Sequence, residues 1–321
     1  MKIRKLVLLA VALILANAVS AQTDYPSKPI RVVVPFPPGG TADLLGRVVA
    51  KRLGDLYGKN AVVENRPGAS GHLGAAEVSR ATPDGHTLAV GTIGIHAAHR
   101  MYKKLAYNPA SDLEVVTILA DLPNLLIAHP GVAAKSVEEL VALAKAKPGT
   151  LNFGSAGPGS STHMVAELFI LASGVKLTHV PYKGSGPALN DLMGGQIQLM
   201  FENFPTALPL VRGNRVRALA VTGARRETAL PEVPTAAETV APGYAATSWF
   251  TIAAPRGLPA ALVERINADL KRVLSAPEVV DEYRSQGIAL VLNSPAEAGR
   301  FVAAETEKWN RVIDAAKIQV E

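Results

Sequence analysis

The chain has 321 residues, a formal charge of +6, 48% hydrophobic and only 5% aromatic residues, and no cysteine. That length accommodates two domains with a core each, and the lack of cysteine excludes a disulfide framework. The basic excess is dispersed, with Arg225-Arg226 its densest cluster, so no basic stripe interleaved with aromatics marks a nucleic-acid surface.

In chain order, Met1-Lys2-Ile3-Arg4-Lys5, an apolar run over residues 6–19 and the small residues up to Ala21 read as a signal peptide. Export and cleavage after Ala21 are expected, leaving 300 residues and a formal charge of +3 once Lys2, Arg4 and Lys5 are removed. The run is shorter than the roughly 20 residues a spanning helix needs, which disfavours a membrane anchor.

Short apolar runs bounded by turn residues follow at 30–35, 61–64, 87–91, 125–128, 151–154, 177–180, 199–201, 216–221 and 250–253. They predict strands. Helical patterns lie between many of them: Leu44, Val48 and Leu56 mark one face, and Ser136-Val137-Glu138-Glu139 opens another helix with a capping-box signature. Strand and helix in alternation predict parallel sheets covered on both faces, hence an α/β fold. From Pro259 the pattern is helical, with Leu262, Ile266, Leu270 and Leu274 on one stripe and a last helix over 295–318. A late strand at 249–253 before these helices predicts a return to complete the first domain. The expected division is 22–123 plus 246–321 for domain 1 and 124–245 for domain 2.

The joint Pro35-Phe36-Pro37-Pro38-Gly39-Gly40-Thr41-Ala42-Asp43 sits between a predicted strand and a predicted helix. In open parallel sheets ligands bind beyond the carboxyl ends of strands, where loops lead into helix N-termini. Gly39-Gly40 permits close backbone approach, Thr41 is a plausible N-cap, and first-turn amides form an anion site without Lys or Arg. A tight βα turn with no ligand explains the same composition. A second loop tips the balance: Ser155-Ala156-Gly157-Pro158-Gly159-Ser160-Ser161-Thr162-His163 also joins a strand to a helix. Two such loops, one per domain, would face each other across a cleft. Asp43 either caps its helix turn or meets a cationic part of a ligand.

Other chemistries are weaker. Gly58-Lys59-Asn60 lacks the spacing and hydroxyl of a Walker motif, and no G-x-S-x-G elbow is present. Ser160 with His163 has no orienting acid, so a capping hydroxyl is the better reading. His96 and His99 have i, i+3 spacing without a third ligand, and His72, His86, His129 and His179 stand alone.

Taken in order, Tyr25-Pro26-Ser27-Lys28-Pro29-Ile30, Val34 to Thr41, Val63-Glu64-Asn65-Arg66-Pro67-Gly68-Ala69 and Pro83-Asp84-Gly85-His86-Thr87-Leu88 resemble the Bug proteins, periplasmic solute receptors of tripartite tricarboxylate transporters. The likeness continues through Asn152 to Gly157, His179-Val180-Pro181-Tyr182-Lys183-Gly184, Ala218 to Thr222 and Pro231 to Thr235, across essentially the whole mature chain.

The resemblance implies a two-domain Venus-flytrap (type II-like) periplasmic-binding-protein fold with a ligand cleft between domains, and no catalysis, cofactor or metal. It implies a small carboxylate ligand, membrane transporter subunits as partners, no nucleic acid and a monomer. Carried onto this chain, the ligand-binding residues are Gly39, Gly40, Thr41, Asp43 and Thr92 in the first domain. In the second they are Ser155, Ala156, Gly157, Ser160, Ser161, Thr162, Lys183, Gly184 and Asn203. Glu202-Asn203 stands where the family usually has Asp-Asn, Pro158 where an asparagine is common, and Ile93 where a polar residue is common. Both of the last two changes would make the distal pocket more apolar. A periplasmic sensor presenting the bound acid to a histidine kinase is the alternative function, and an extracytoplasmic hydrolase is a third.

Overall fold

A computed structural model describes residues 25–319; the signal peptide expected over 1–21 lies outside the described residues. Strand β1 (Ile30–Val34) buries Val32, Val33 and Val34 completely, as a strand covered on both faces must. It pairs in parallel with β2 (Ala61–Asn65) and β3 (Thr87–Thr92). The helix Thr41–Tyr57 leaves the end of β1 and packs back on this sheet. Its buried stripe is Leu45, Val49 and Leu53 with Ala42, Gly46 and Ala50, one position round from the expected Leu44, Val48 and Leu56, which are half-buried. The small residues set the rotation: a Cβ on Gly46 would lie 2.4 Å from Val34 Cγ2, so only glycine lets the helix approach this closely.

The sheet is not parallel throughout. Strand β4 (Leu113–Ala128) runs for 16 residues and pairs antiparallel with β9 (Thr247–Pro255), which pairs antiparallel with β3. Only the last four residues of β4 are expected as strand from the sequence. Pro123 opposes Thr247 at the end of that ladder, and from Asn124 onward β4 changes partners to β7 (Leu199–Asn203) and β8 (Arg217–Val221). A proline donates no ladder hydrogen bond and is tolerated where pairing changes.

Beyond the change of partner, β7 pairs in parallel with β5 (Asn152–Ser155), and β5 with β6 (Thr178–Pro181). The strand order is β2-β1-β3-β9-β4-β7-β5-β6, with β8 and the short β10 (Ala289–Leu290) both on β4. Two parallel α/β sheets are thus joined through the antiparallel pair β4 and β9.

The Pro295–Ala316 helix ends two residues earlier than expected, at a left-handed Lys317 with φ 55°. It packs on β4 and on the helix Ser161–Ser173. The Trp249 and Trp309 indoles, both fully buried, donate to the same Glu305 carboxylate oxygen at 2.9 and 2.8 Å. Among the described residues no helix is long and apolar enough to cross a membrane.

Candidate ligand-binding site

The loop after β1 is shaped from within by one carboxylate. Asp43 accepts from the Gly39 amide at 3.1 Å, from Arg47 Nε at 2.9 Å and from Asn65 Nδ2 at 2.9 Å, while Asn65 also donates to the Phe36 carbonyl. Burial opposes ionisation of Asp43, but the bonds from Arg47, Asn65 and Gly39 outweigh it and hold the carboxyl below its ordinary range. Of its two expected roles, Asp43 therefore fills the structural one. Thr41 is not the N-cap. Gly40 occupies that position without a side-chain bond, and Thr41 is the first helical residue.

The loop after β5 rests on stacked rings. His179 lies 4.0 Å from His163 and 4.8 Å from Phe153, all three near-parallel. Burial, and then the His163 neighbour, push the His179 pKa down to about 3, so the ring is neutral and meets Ser155 Oγ at 2.6 Å. Ser155 Oγ also takes the Gly157 amide at 3.1 Å, and the Gly159 amide donates to His163 Nδ1 at 3.0 Å. With that nitrogen occupied and Nε2 facing Glu167, His163 does not meet Ser160 as a base. Ser160 caps the Ser161–Ser173 helix and pairs with Thr162 Oγ1 at 3.0 Å. The rings of the two histidines once weighed as a metal pair are engaged as well: His96 bonds Thr251 Oγ1 and His99 the His96 carbonyl.

Four helices begin at one small cavity. Gly40, Thr41 and Ala42 line it from the Thr41–Tyr57 helix, and Ser160, Ser161 and Thr162 from the Ser161–Ser173 helix. Gly184, Ser185 and Gly186 reach it at the start of the Ser185–Met193 helix, and Asn203 at the start of the Phe204–Arg212 helix. Thr92 and Ala156 complete the expected residues in its wall. No Lys or Arg is among them. The Thr41–Tyr57, Ser185–Met193 and Phe204–Arg212 helices start without a side-chain cap, so their positive ends are open to the cavity.

Polar groups in the wall have assigned directions. Thr41 and Thr92 are 2% and 3% exposed, and neither hydroxyl has a partner among the described residues. Asn203 Oδ1 accepts from Asn124 Nδ2 at 3.1 Å, which leaves its own Nδ2 to donate. Ser185 Oγ donates to Glu202 Oε2 at 2.9 Å. Glu202 is fully buried, and burial pushes its pKa up to about 7 despite bonds from Thr206, Ser185 and the Asn203 amide. The cavity measures about 30 Å³. One water needs roughly 10–15 Å³ on this measure, so the space suits a carboxylate-sized group.

Gly39, Asp43, Ser155 and Gly157 are not in the wall; they build the loops behind it. Lys183 faces a separate outer cavity instead. Ile93 is fully buried in the core and so does not shape the pocket, whereas Pro158 lines the outer cavity. Sequence reading missed Phe36, Pro37, Pro38, Ala42, Ser185, Gly186 and Phe250. Pro37 and Pro38 belong to the joint read from the sequence without a role of their own, and Ser185 lies one residue past an expected glycine. Phe250 gave no signal, since only the antiparallel pairing of β9 with β3 brings it to the site.

The two sides touch. A Cβ on Gly184 would lie 3.0 Å from Pro37, one on Gly94 would lie 2.8 Å from the Gly159 carbonyl, and the Tyr102 hydroxyl donates to the Pro158 carbonyl at 2.8 Å.

Residues 45–318 match the family described as the tripartite tricarboxylate transporter family receptor. The chain belongs to that receptor family. Protein BugT of Bordetella pertussis is 36% identical to this receptor over 301 residues, 93% of this chain and 92% of BugT. The solved structure of R. palustris Rpa4515 with adipate superposes with a TM-score of 0.89 at 39% identity, covering 92% of this receptor and 99% of that chain. The periplasmic binding protein BugD superposes with a TM-score of 0.86 at 30% identity over 92% of this receptor and 100% of BugD. The receptor is thus a Bug-type periplasmic solute-binding protein of the Venus-flytrap class.

Two predictions follow from the site. Thr41→Val and Thr92→Val each remove an unpartnered buried hydroxyl while keeping its shape. Each is expected to leave the empty receptor at least as stable in urea unfolding, and to weaken ligand by about 1–3 kcal/mol in calorimetry. Because the Glu202 pKa is raised on folding, the folded state holds more protons between the ordinary carboxylate range and about pH 7. The stability this group contributes is complete in acid and lost as pH rises through about 7. Glu202→Gln should flatten the fall in unfolding free energy between pH 5 and pH 8.

Proposed function

We propose that this receptor captures a small carboxylate in the periplasm and delivers it to the membrane subunits of a tripartite tricarboxylate-type transporter, without transforming it. The observation that carries the reading is the convergence of four helix N-termini and two unpartnered hydroxyls on a cavity with no basic side chain. A carboxylate accepts hydrogen bonds at every lone pair and favours the positive ends of helices. The structure of the relative Rpa4515 with adipate agrees with this chemistry.

The proposed lobes are 22–123 plus 246–321 and 124–245, divided where β4 leaves β9 for β7 and β8. The proposed ligand groups are Gly40, Thr41 and Thr92 from the first lobe, and Ala156, Ser160, Ser161, Thr162, Gly184 and Asn203 from the second. The acid docks first on the open helix end at Gly40–Ala42, and the second lobe then closes over it. A ligand favours the closed form only through contacts made better there, so both lobes must touch it. The closed surface is what the membrane subunits recognise. In this reading the chain is exported by cleavage after Ala21 and works as a monomer.

The test is a thermal-shift series on residues 22–321 with carboxylic acids and their uncharged amides. At a hundredfold excess over its dissociation constant a ligand adds about 2.7 kcal/mol, which raises the midpoint visibly. Stabilisation by an acid and not by its amide is expected. Equal stabilisation by both would overturn the reading.

A further inference from the structure

Behind the wall of the small cavity sits one ionisable group to which capture of the acid assigns no task. Glu202, in β7, is fully buried and is not in the wall, yet it bonds to two residues that are. Its Oε2 accepts from Ser185 Oγ at 2.9 Å, and its carboxylate takes the Asn203 amide. Thr206 Oγ1 meets its Oε1.

No counter-charge reaches this carboxyl. The ionisable groups on the elements packed against β7 are Glu114 and Asp121 on β4, His163 and Glu167 on the Ser161–Ser173 helix, Asp191 on the Ser185–Met193 helix and Arg212 on the Phe204–Arg212 helix. His163 faces Glu167, Asp191 is bonded to Tyr182, and Arg212 is exposed. The raised pKa of Glu202 traces to burial, opposed by the three bonds above, and to none of these six groups. A buried carboxyl in such surroundings changes charge near neutrality, at about 7 here.

Its protonation state decides what Ser185 can offer. A serine hydroxyl has one proton to give, and an ionised carboxylate only accepts. While Glu202 is charged, Ser185 spends its proton there and presents lone pairs to the cavity, which disfavour an anion. A protonated Glu202 has a proton of its own to give. Thr206 has a second acceptor, the Asn203 carbonyl at 2.9 Å. Ser185 has no second acceptor among the described residues, so an anion in the cavity would be the one to take its proton.

We infer that Glu202 positions the Ser185 hydroxyl and couples capture of the acid to uptake of one proton: protonated Glu202 donates to Ser185 Oγ, and Ser185 donates to the ligand carboxylate. The inference rests on the carboxylate reading above. The proton comes from bulk water, and the site then holds one buried negative charge in place of two. Coupling is reciprocal, so ligand raises the proton affinity of Glu202 by the factor by which the proton raises that of the ligand. Affinity is therefore full in acid and lost as pH rises through and beyond about 7.

The test is calorimetric titration of the full mature receptor with acetate, adipate and phenylacetate, all ionised between pH 6.5 and pH 8.5, and with phenylacetamide. Binding of an acid is expected to weaken about fivefold or more across that range. At pH 7.5, two buffers of different ionisation enthalpy should report net proton uptake. Glu202→Gln keeps the size of the side chain, and its amide can donate to Ser185 and accept from Thr206 as the protonated carboxyl does. It should bind at pH 8.5 as tightly as at pH 6.5 and take up no proton. Ser185→Ala should weaken binding severalfold at pH 6.5 and much less at pH 8.5. A wild-type affinity that is flat with pH, a slope that survives in Glu202→Gln, or a Ser185→Ala loss of equal size at both pH values would overturn the inference and leave the carboxylate reading intact. An amide that binds as tightly as its acid, or no binding by any of the three acids at either pH, would overturn the carboxylate reading and the inference with it.

Discussion

Four helix N-termini pointed at one another across a cavity of about 30 Å³ is the constraint on which the rest of the structure depends. Each helix end carries roughly half a positive charge, and like ends brought together repel. An anion between them turns that repulsion into attraction, and no Lys or Arg in the wall is there to hold it instead. In the proposed reading, the arrangement that favours an anion also favours closure around it.

The remaining architecture supplies the geometry. Asp43 shapes the first loop, and the Phe153, His179 and His163 stack supports the second. Asn124 stands where β4 changes partners. Its amide donates to Thr222 Oγ1, its Nδ2 to Asn203 Oδ1, and its Oδ1 accepts from Ser248 Oγ. The crossing strands are thereby bonded directly to a residue of the cavity wall, so a change of angle at the crossing moves Asn203 with it.

Much of this was legible in the sequence. Strands such as β1, β3 and β7 were visible because their apolar runs are buried on both faces, and the two glycine loops because close backbone approach leaves few other residues available. Nine of the proposed ligand residues line the cavity. Residues 113–124 of β4 were hidden because Pro123 and Asn124 interrupt the apolar pattern where one strand changes partner. The face of the Thr41–Tyr57 helix was misplaced by one residue because Gly46, which decides the rotation, carries no hydrophobic signal. Asp43 and Ser155 have the chemistry of ligand contacts and spend it on their own loops. Ser185, Phe250 and the outer cavity arise from tertiary packing, which local pattern does not encode.

The most direct measurement is the crystal structure of the receptor with its preferred acid bound. The account predicts carboxylate oxygens within hydrogen-bond distance of the amides that open the Thr41–Tyr57 and Ser161–Ser173 helices and of the Thr41 and Thr92 hydroxyls, with no basic side chain in contact. A carboxylate paired instead with Lys183 at the outer cavity, and a small pocket holding only water, would contradict it.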